Sequence, residues 1–414
     1  MLSRWQWLLI QVTRRLWFRA ALFSVLGIVV AVLAALAQPL IPADMPAKIG
    51  ADSVDNILGI IASSMLAVTT FSLSTMVAGY AAATSNVTPR ATKLLIEDPT
   101  TQNALATFIG SFLFSLVGII ALSTGIYGSQ GRVVLFAATL IVIAAVVITL
   151  LRWIDHLARL GRVGETTQRV EEATALAMRH RRMRPTLGGA ERKGRPPVDA
   201  VPLHALDIGY VQHIDVNAVS RAVAKGSVHV EALPGTFVDP TRPLAFVAGV
   251  DEEQRVAIRE AFTVAPARSF EQDPRFGLSV MAEIASRALS PALNDPGTAI
   301  DVLGRAVRVL AILLEPPQEG ERNGNDDPEC ANVFVPTLSI EDMFDDVFTP
   351  IARDGASLVE VQLRLQKALR SLAGMDGERF APAARRHSAL ARQRAEAAMP
   401  LEADRVLVRE IALA

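Results

Sequence analysis

The residues best suited to chemistry lie in one polar run. It reads Arg268-Ser-Phe-Glu-Gln-Asp-Pro-Arg-Phe-Gly277 and then Arg287-Ala-Leu-Ser-Pro-Ala-Leu-Asn-Asp-Pro-Gly-Thr-Ala299. Arg268, Glu271, Gln272, Asp273, Arg287, Asn294 and Asp295 supply guanidinium, carboxylate and amide groups in close succession. Two arrangements suit such a set. The groups can satisfy one another in a buried polar knot, or they can hold an anion at a helix start, where free N–H groups point outward. Local spacing accounts for part of the run. Asp273 before Pro274 and Asp295 before Pro296 read as N-caps with proline in the first turn, where its missing N–H is harmless. Ser290-Pro291 offers the same pairing. Caps do not account for Arg268, Glu271, Gln272, Arg287 and Asn294 together, so both arrangements stay open.

Other chemistry is sparse. The six histidines (His156, His180, His204, His213, His229, His387) have no second His or carboxylate at metal-site spacing on one helix face. There is no Walker-type loop, no Gly-x-Ser-x-Gly and no dinucleotide fingerprint. No catalytic residue, metal or cofactor is therefore expected, although acids far apart in sequence can still converge into a two-carboxylate site. A single cysteine, Cys330, excludes disulfides within the chain and Cys-rich metal sites.

The elements that must position these residues divide the chain in two. Of 414 residues, 51% are hydrophobic and 20% charged, against about 25% charged in soluble domains; mean hydropathy is +0.32. The charge is unevenly placed: residues 1–151 hold 8 Lys/Arg and 5 Asp/Glu, residues 152–414 hold 33 and 37. This excludes a wholly soluble enzyme, a disordered protein and a nucleic-acid binder driven by bulk charge.

Residues 20–37, 56–83, 104–126 and 133–151 each form an uncharged stretch long enough to cross the bilayer core, and in lipid such stretches must be helices. Arg4, Arg14, Arg15 and Arg19 precede the first. Arg90 and Lys93 lie between the second and third, and Arg152, Arg159 and Arg162 follow the fourth. Lys48 and Arg132 alone border the other side. The positive-inside rule predicts that both termini are cytoplasmic, and Trp5, Trp7, Trp17 and Trp153 all fall at the expected inner interface. Residues 1–19 have Leu2, Trp5, Leu8, Leu9, Val12 and Leu16 at helical spacing, as an interfacial amphipathic segment would. Ala35-Leu36-Ala37 resembles a signal-peptidase site, but the 19-residue charged leader is long for one.

The second stretch is unusual. Ser63, Ala67, Thr70, Ser74 and Ala78 form one small-residue stripe, opposed by Met65, Leu66, Leu73, Met76 and Val77. The stripe suits close helix packing or the polar lining of a path. As one helix, residues 56–89 would run about 51 Å, past the bilayer core, with Pro89 marking the end. No ionisable residue lies within the four stretches, which argues against energised transport and leaves a passive pore.

Residues 152–178 read as a helix weakened by Gly161 and Gly164. Residues 152–197 thus comprise a juxtamembrane helix and a basic linker, Arg179–Arg195, open to solvent or to anionic headgroups. Residues 198–249 alternate as short strands with tight turns. Residues 250–414 are mostly helical, with a strand expected over 332–338 and an exposed loop over 315–329. Within the β segment, Gly235–Val247 resembles the closing hairpin of the barrel-sandwich modules of lipoyl and biotinyl carriers. Lys225 is followed by Gly rather than the carrier pattern, so no swinging arm is expected.

The run Arg287–Ala299, the Glu-Gln-Asp ahead of it, and Ser63–Arg90 (Ser-Ser-Met-Leu-Ala-Val-Thr-Thr-Phe-Ser-Leu-Ser … Ser-Asn-Val-Thr-Pro-Arg) resemble the bacterial family called domain of unknown function 2254. Ala292 and Gly297 depart from the expected pattern. The resemblance covers nearly the whole chain. It implies a multi-span bacterial membrane protein with a soluble part, and no activity, so no catalytic residue carries over. The expected fold is an integral membrane four-helix domain (20–151) plus a cytoplasmic α+β domain with a small β-barrel-like module. The expected place is the bacterial inner membrane. The expected function is a passive, homo-oligomeric pore or conduit regulated by the cytoplasmic domain. The alternative is a membrane-anchored sensor or scaffold binding a small anion or a protein partner. Expected partners are lipids and further copies of the chain, not nucleic acid.

Overall fold

The computed structural model describes residues 16–36, 51–124, 129–223, 225–316 and 329–413. The amphipathic reading of residues 1–15, Trp5, Trp7, Lys48 and most of the 315–329 loop lie outside them. The chain divides into two compact units, residues 8–85 with 92–165, and residues 1–7, 86–91 and 166–414.

The first unit is helical. It contains α1 (Leu16–Leu36), α2 (Ala51–Asn86, its last residue grouped with the second unit), α3 (Thr92–Ile96), α4 (Pro99–Ser123) and α5 (Ser129–Leu157). Among the described residues, three helical stretches, Ser53–Ser85, Thr92–Ser123 and Gly131–Leu157, are long and apolar enough to cross a membrane. The fourth expected span falls on α1, whose apolar stretch, Trp17–Val30, is shorter than that. Apolar periodicity buries one line of α2 (Val54, Leu58, Ile61, Met65) against Phe114, Leu135, Phe108, Val146 and Trp153 of α4 and α5. Glycines bring α1 and α4 into backbone contact: a Cβ on Gly27 would sit 2.7 Å from the Gly110 carbonyl oxygen, and one on Gly110 would sit 2.9 Å from that of Phe23. The outer surface carries Leu22, Leu26, Phe71, Ile141 and Ile148 exposed, apolar side chains that lipid can cover.

The helix expected over 152–178 is two helices. α5 ends at Leu157, the chain turns at Gly161 (φ +78°), and α6 spans Val163–Met183. The residues expected as a basic linker are the end of α6 followed by strand β1 (Gly189–Glu191). Their charges are largely paired: Arg182 with Glu315, Arg184 with Glu329, Arg192 with Glu231 and Lys193 with Glu191.

The second unit combines two sheets with helices. Its strands are β1, β2 (Val201–His204), β3 (Gly209–Ile214), β4 (Ser227–Val230), β5 (Phe237–Val238), β6 (Pro243–Ala248), β7 (Phe262–Ala265) and β8 (Cys330–Val335). The five-stranded sheet runs β1-β8-β4-β6-β2 and the three-stranded sheet β5-β3-β7. Neither closes into a barrel. β8 is parallel to both β1 and β4, so the sheet recruits residues on either side of the expected 198–249 module. β5 and β6 are not a closing hairpin: β5 pairs with β3, whereas β6 pairs with β2 and β4. The turn between them is held by Asp239, which accepts from the Thr241 N–H and hydroxyl, and it sends the two strands into different sheets. The sheets share a core of Val211, Ile214, Val228, Leu244, Ile258 and Val333.

The helices of this unit are α6, α7 (Val216–Ala222), α8 (Glu252–Glu260), α9 (Pro274–Ala288), α10 (Pro296–Ala311), α11 (Ile340–Asp354), α12 (Val359–Met375), α13 (Ala381–Ala398) and α14 (Glu402–Ile411). α14 takes up the apolar stretch at Val406–Val408. Phe344, Phe348 and Phe380 are fully buried at the centre of the helical part.

Candidate functional site

The polar run does not converge on one site. Its two halves lie at opposite ends of α9, a 15-residue helix about 22 Å long.

At the N-terminal end, Asp273 accepts from the Phe276 N–H at 3.0 Å and caps α9 as its Asp-Pro sequence predicts. Arg268 donates to both carboxylate oxygens, Nε at 2.8 Å and Nη2 at 3.0 Å, and its guanidinium lies over the Phe276 ring. Gly235, at φ +94°, presses its backbone onto Asp273, and any Cβ there would collide with the carboxylate. Burial pushes the Asp273 carboxyl up, opposed by Arg268, the cap N–H and Arg275. Gln272 serves the end of β3: its carbonyl accepts from the Ile214 N–H at 3.0 Å. Glu271 is half-buried and acts on His213, whose imidazole is pushed down by burial despite Asp215 and Glu271. The carboxylate of Asp273 itself occupies the helix start that an anion would need.

At the C-terminal end the chain makes a tight exposed turn. The Ser290 N–H and hydroxyl both donate to the Arg287 carbonyl, so Ser290 closes α9 rather than capping another helix. Asn294 adopts φ +48°, a left-handed conformation that Asn tolerates. Asp295 accepts from the Thr298 N–H at 3.1 Å and from its hydroxyl at 2.6 Å, capping α10. These bonds hold the Asp295 carboxyl below the usual range. Residues 291–295 are all exposed. The half-buried Arg287 guanidinium has no hydrogen-bond or ion-pair partner among the described residues.

Sequence reasoning missed Arg181 on α6. It is 4% exposed, and its Nε and Nη1 have no hydrogen-bond partner among the described residues. Burial pushes it down to about 10, against the field of Asp273, so it stays cationic at neutral pH. Its position inside a basic run disguised it as a solvated charge.

On α2 the small-residue stripe is uncovered. Ser63, Ala67, Thr70, Ser74 and Ala78 are all exposed, while Met65, Ser72 and Met76 are buried. Leu66, Leu73 and Val77, expected opposite the stripe, are also exposed. Among the described residues, the stripe therefore packs against no helix. Its hydroxyls donate to carbonyls one turn back: Ser63 to Gly59, Thr70 to Leu66 and Ser74 to Thr70.

The buried side of the same unit holds a polar chain that sequence reasoning also missed. Trp153 does not face outward; it is 1% exposed, and its indole N–H donates to the Ser72 hydroxyl at 2.9 Å. The ring stacks on His156 with centroids 5.4 Å apart. His156 Nε2 lies 3.1 Å from both Asp98 Oδ2 and Thr101 Oγ1. Asp98 caps α4, accepting from the Thr101 N–H and hydroxyl. The available signal was Asp98-Pro99, which is the same cap pattern as at α9. Its pairing with a residue on α5 had none.

A family model described as predicted membrane protein (DUF2254) matches residues 13–371. The chain belongs to this family. It is 40% identical over 133 residues to uncharacterized proteins of Mycobacterium bovis and Mycobacterium tuberculosis strain H37Rv, covering 28% of this chain and 24% of each relative. A protein of Mycobacterium tuberculosis strain CDC 1551 is 37% identical over 129 residues. The chain thus spans about a quarter of the length of these relatives. No solved structure matches. Two of the segments that carry the DUF2254 resemblance meet within the second unit. Arg90, from the Thr-Pro-Arg that follows α2, pairs with Glu283 of α9 at 2.6 Å, one turn before Arg287.

Proposed function

We propose that this DUF2254 protein is a passive, homo-oligomeric conduit in a bacterial inner membrane, regulated by a cytoplasmic C-terminal unit. The observation that carries the reading is the uncovered stripe Ser63, Ala67, Thr70, Ser74 and Ala78 on α2. Small side chains permit close approach of a second helix, and each hydroxyl, though it donates to its own helix, keeps lone pairs for water or solute. So few helices rarely enclose a path by themselves, so in this reading copies meet along this face. The test is reconstitution of the full chain in liposomes, with ion currents and solute efflux measured without a driving gradient of protons. Flux that falls at least tenfold in Thr70→Leu/Ser74→Leu supports the reading. Absence of flux, or a monomer in the bilayer, defeats it.

A second reading, a membrane-anchored sensor, rests on the unpartnered Arg287 beside the exposed turn 291–295. With inorganic phosphate and small carboxylates as probes, calorimetry would show binding that Arg287→Ala removes while the melting profile is unchanged.

A further inference from the structure

We propose that the second unit holds a small oxyanion, a phosphate or carboxylate group, against the buried guanidinium of Arg181. The site lies beside the knot at the start of α9, whereas Arg287 lies at the other end of that helix. It depends on neither reading above.

Helical spacing carries Arg181 to this place. α6 meets α9 so closely that a Cβ on Gly277 would collide with the Thr174 side chain. Arg181 follows Thr174 by seven residues, two turns along the same face of α6, and both are buried. Asp273 precedes Gly277 by four residues, about one turn back along α9. The Arg181 guanidinium lies in the field of Asp273 and reaches the end of β8, where Nη2 donates to the Pro336 carbonyl in a long contact of 3.5 Å.

The donor inventory leaves a gap. A guanidinium carries five N–H donors. The one on Nε and the two on Nη1 meet no acceptor among the described residues. The hydroxyl of Ser269, next to Arg268 in the chain and 1% exposed, also has no partner among them. The carboxylates of the region are engaged elsewhere. Both Asp273 oxygens accept from Arg268, and Oδ1 accepts from the Phe276 N–H as well. Asp342 and Asp346 hold Arg275. Asp273 thus gives Arg181 a field and no hydrogen bond.

A cation at this depth needs more than a field. Arg181 is 4% exposed and remains charged at neutral pH. A buried charge without a counter-ion in contact is strongly disfavoured, and so are the unmade hydrogen bonds of a charged donor. Water would answer the second demand. An oxyanion answers both, because it brings negative charge and several lone pairs, and a guanidinium binds such groups through charge-assisted hydrogen bonds. The near-complete burial limits the ligand to a small one. Asp273 bars an anion from the helix start itself, but its charge is offset by Arg268, so it does not bar one at Arg181.

The experiment takes the full chain in lipid nanodiscs and titrates it with sodium phosphate or sodium acetate, with ionic strength held constant by sodium chloride. Thermal melts and calorimetry are the readouts. An anion held by the folded state raises the melting temperature saturably, and such a rise is expected with phosphate, acetate or both. Arg181→Met keeps an apolar stem of similar reach and removes the donors, so it should abolish the rise. Arg181→Lys keeps the charge and loses the planar donor array, so affinity should fall about tenfold or more. Arg287→Ala should leave the response intact. No rise beyond that produced by chloride, or an undiminished rise in Arg181→Met, overturns the proposal. A rise lost in Arg287→Ala and kept in Arg181→Met also overturns it, while supporting the sensor reading. If Arg181→Met does not fold, Arg181→Lys decides alone, and an unchanged affinity there sinks the site. None of these readouts uses flux, so failure here and failure of the conduit reading are distinguishable.

Discussion

The two units handle buried charge in different ways. In the helical unit, the pair Asp98–His156 is buried beside Thr101, Trp153 and Ser72. The second unit is laced with ion pairs between helices. Glu171 joins Arg305 and Arg308 of α10, Arg275 joins Asp342 and Asp346 of α11, and Arg386 joins Asp345. The difference follows from the surroundings each unit is built for. Near water, a half-exposed pair loses little hydration and gains little stability. Within apolar helices a charge must be neutralised on the spot, so few survive, and those that do stand out as candidates for function.

That contrast can be broken most forcefully at Asp273. Asp273→Ala removes the α9 cap and strands Arg268 and the buried Arg181 without their carboxylate. Chemical unfolding of the full chain should show a loss of about 3–5 kcal/mol, with Asp273→Asn losing less because it retains the cap. If Asp273→Ala unfolds like the parent, the knot is not a keystone and a ligand reading of that end regains force.

Acidification should sharpen the contrast next. His387 packs against Phe344 and Phe348. Burial pushes it down to about 4 from 6.5, and the opposing pull of the Asp345 carboxylate at 3.2 Å does not offset this. Burial outweighs that pull because the side chain is 1% exposed, so its charged form is poorly hydrated. Below pH 6.5 the unfolded chain binds a proton that the folded chain refuses. Stability is therefore complete above pH 6.5 and declines as pH falls to 4, by at most about 3 kcal/mol. Melting temperatures from pH 7 to 4 should fall less steeply in His387→Gln.

In the helical unit the corresponding weak point is apolar. Gly110→Leu should force α1 from α4 and destabilise by about 1–3 kcal/mol, visible as loss of monodisperse protein in detergent. Gly59, where a Cβ would meet nothing within 4 Å, provides the control: Gly59→Ala should be silent. The smallest effect is expected at the exposed turn, where Asp295→Ala loses a cap worth about 1 kcal/mol; a larger loss in thermal melts would mean that the turn 291–295 carries more than its own helix start.

Much of the local structure was legible. Proline after aspartate marked the starts of α9 and α10, and the neutral run ending at Pro89 marked α2, which stops at Asn86. Gly161 divides α5 from α6 where the helical pattern weakened. These signals act within a turn or two of the chain, where backbone sterics and capping operate. The stripe on α2 was legible as composition, but not its exposure. A helical wheel ranks faces without saying which neighbour covers them.

By itself, then, the sequence determined the apolar helices, their caps, the uneven division of charge and the family. Tertiary structure alone decided the encounters between residues far apart in the chain. It brought β8 between β1 and β4, set Gly235 against Asp273, and placed His156 of α5 beside Asp98. It also separated Arg268 and Asp273 from Arg287 and Asp295 by the length of α9. Periodicity and capping are short-range forces written in neighbouring residues. Which buried charge meets which partner depends on how whole helices and strands pack, and that is written nowhere locally.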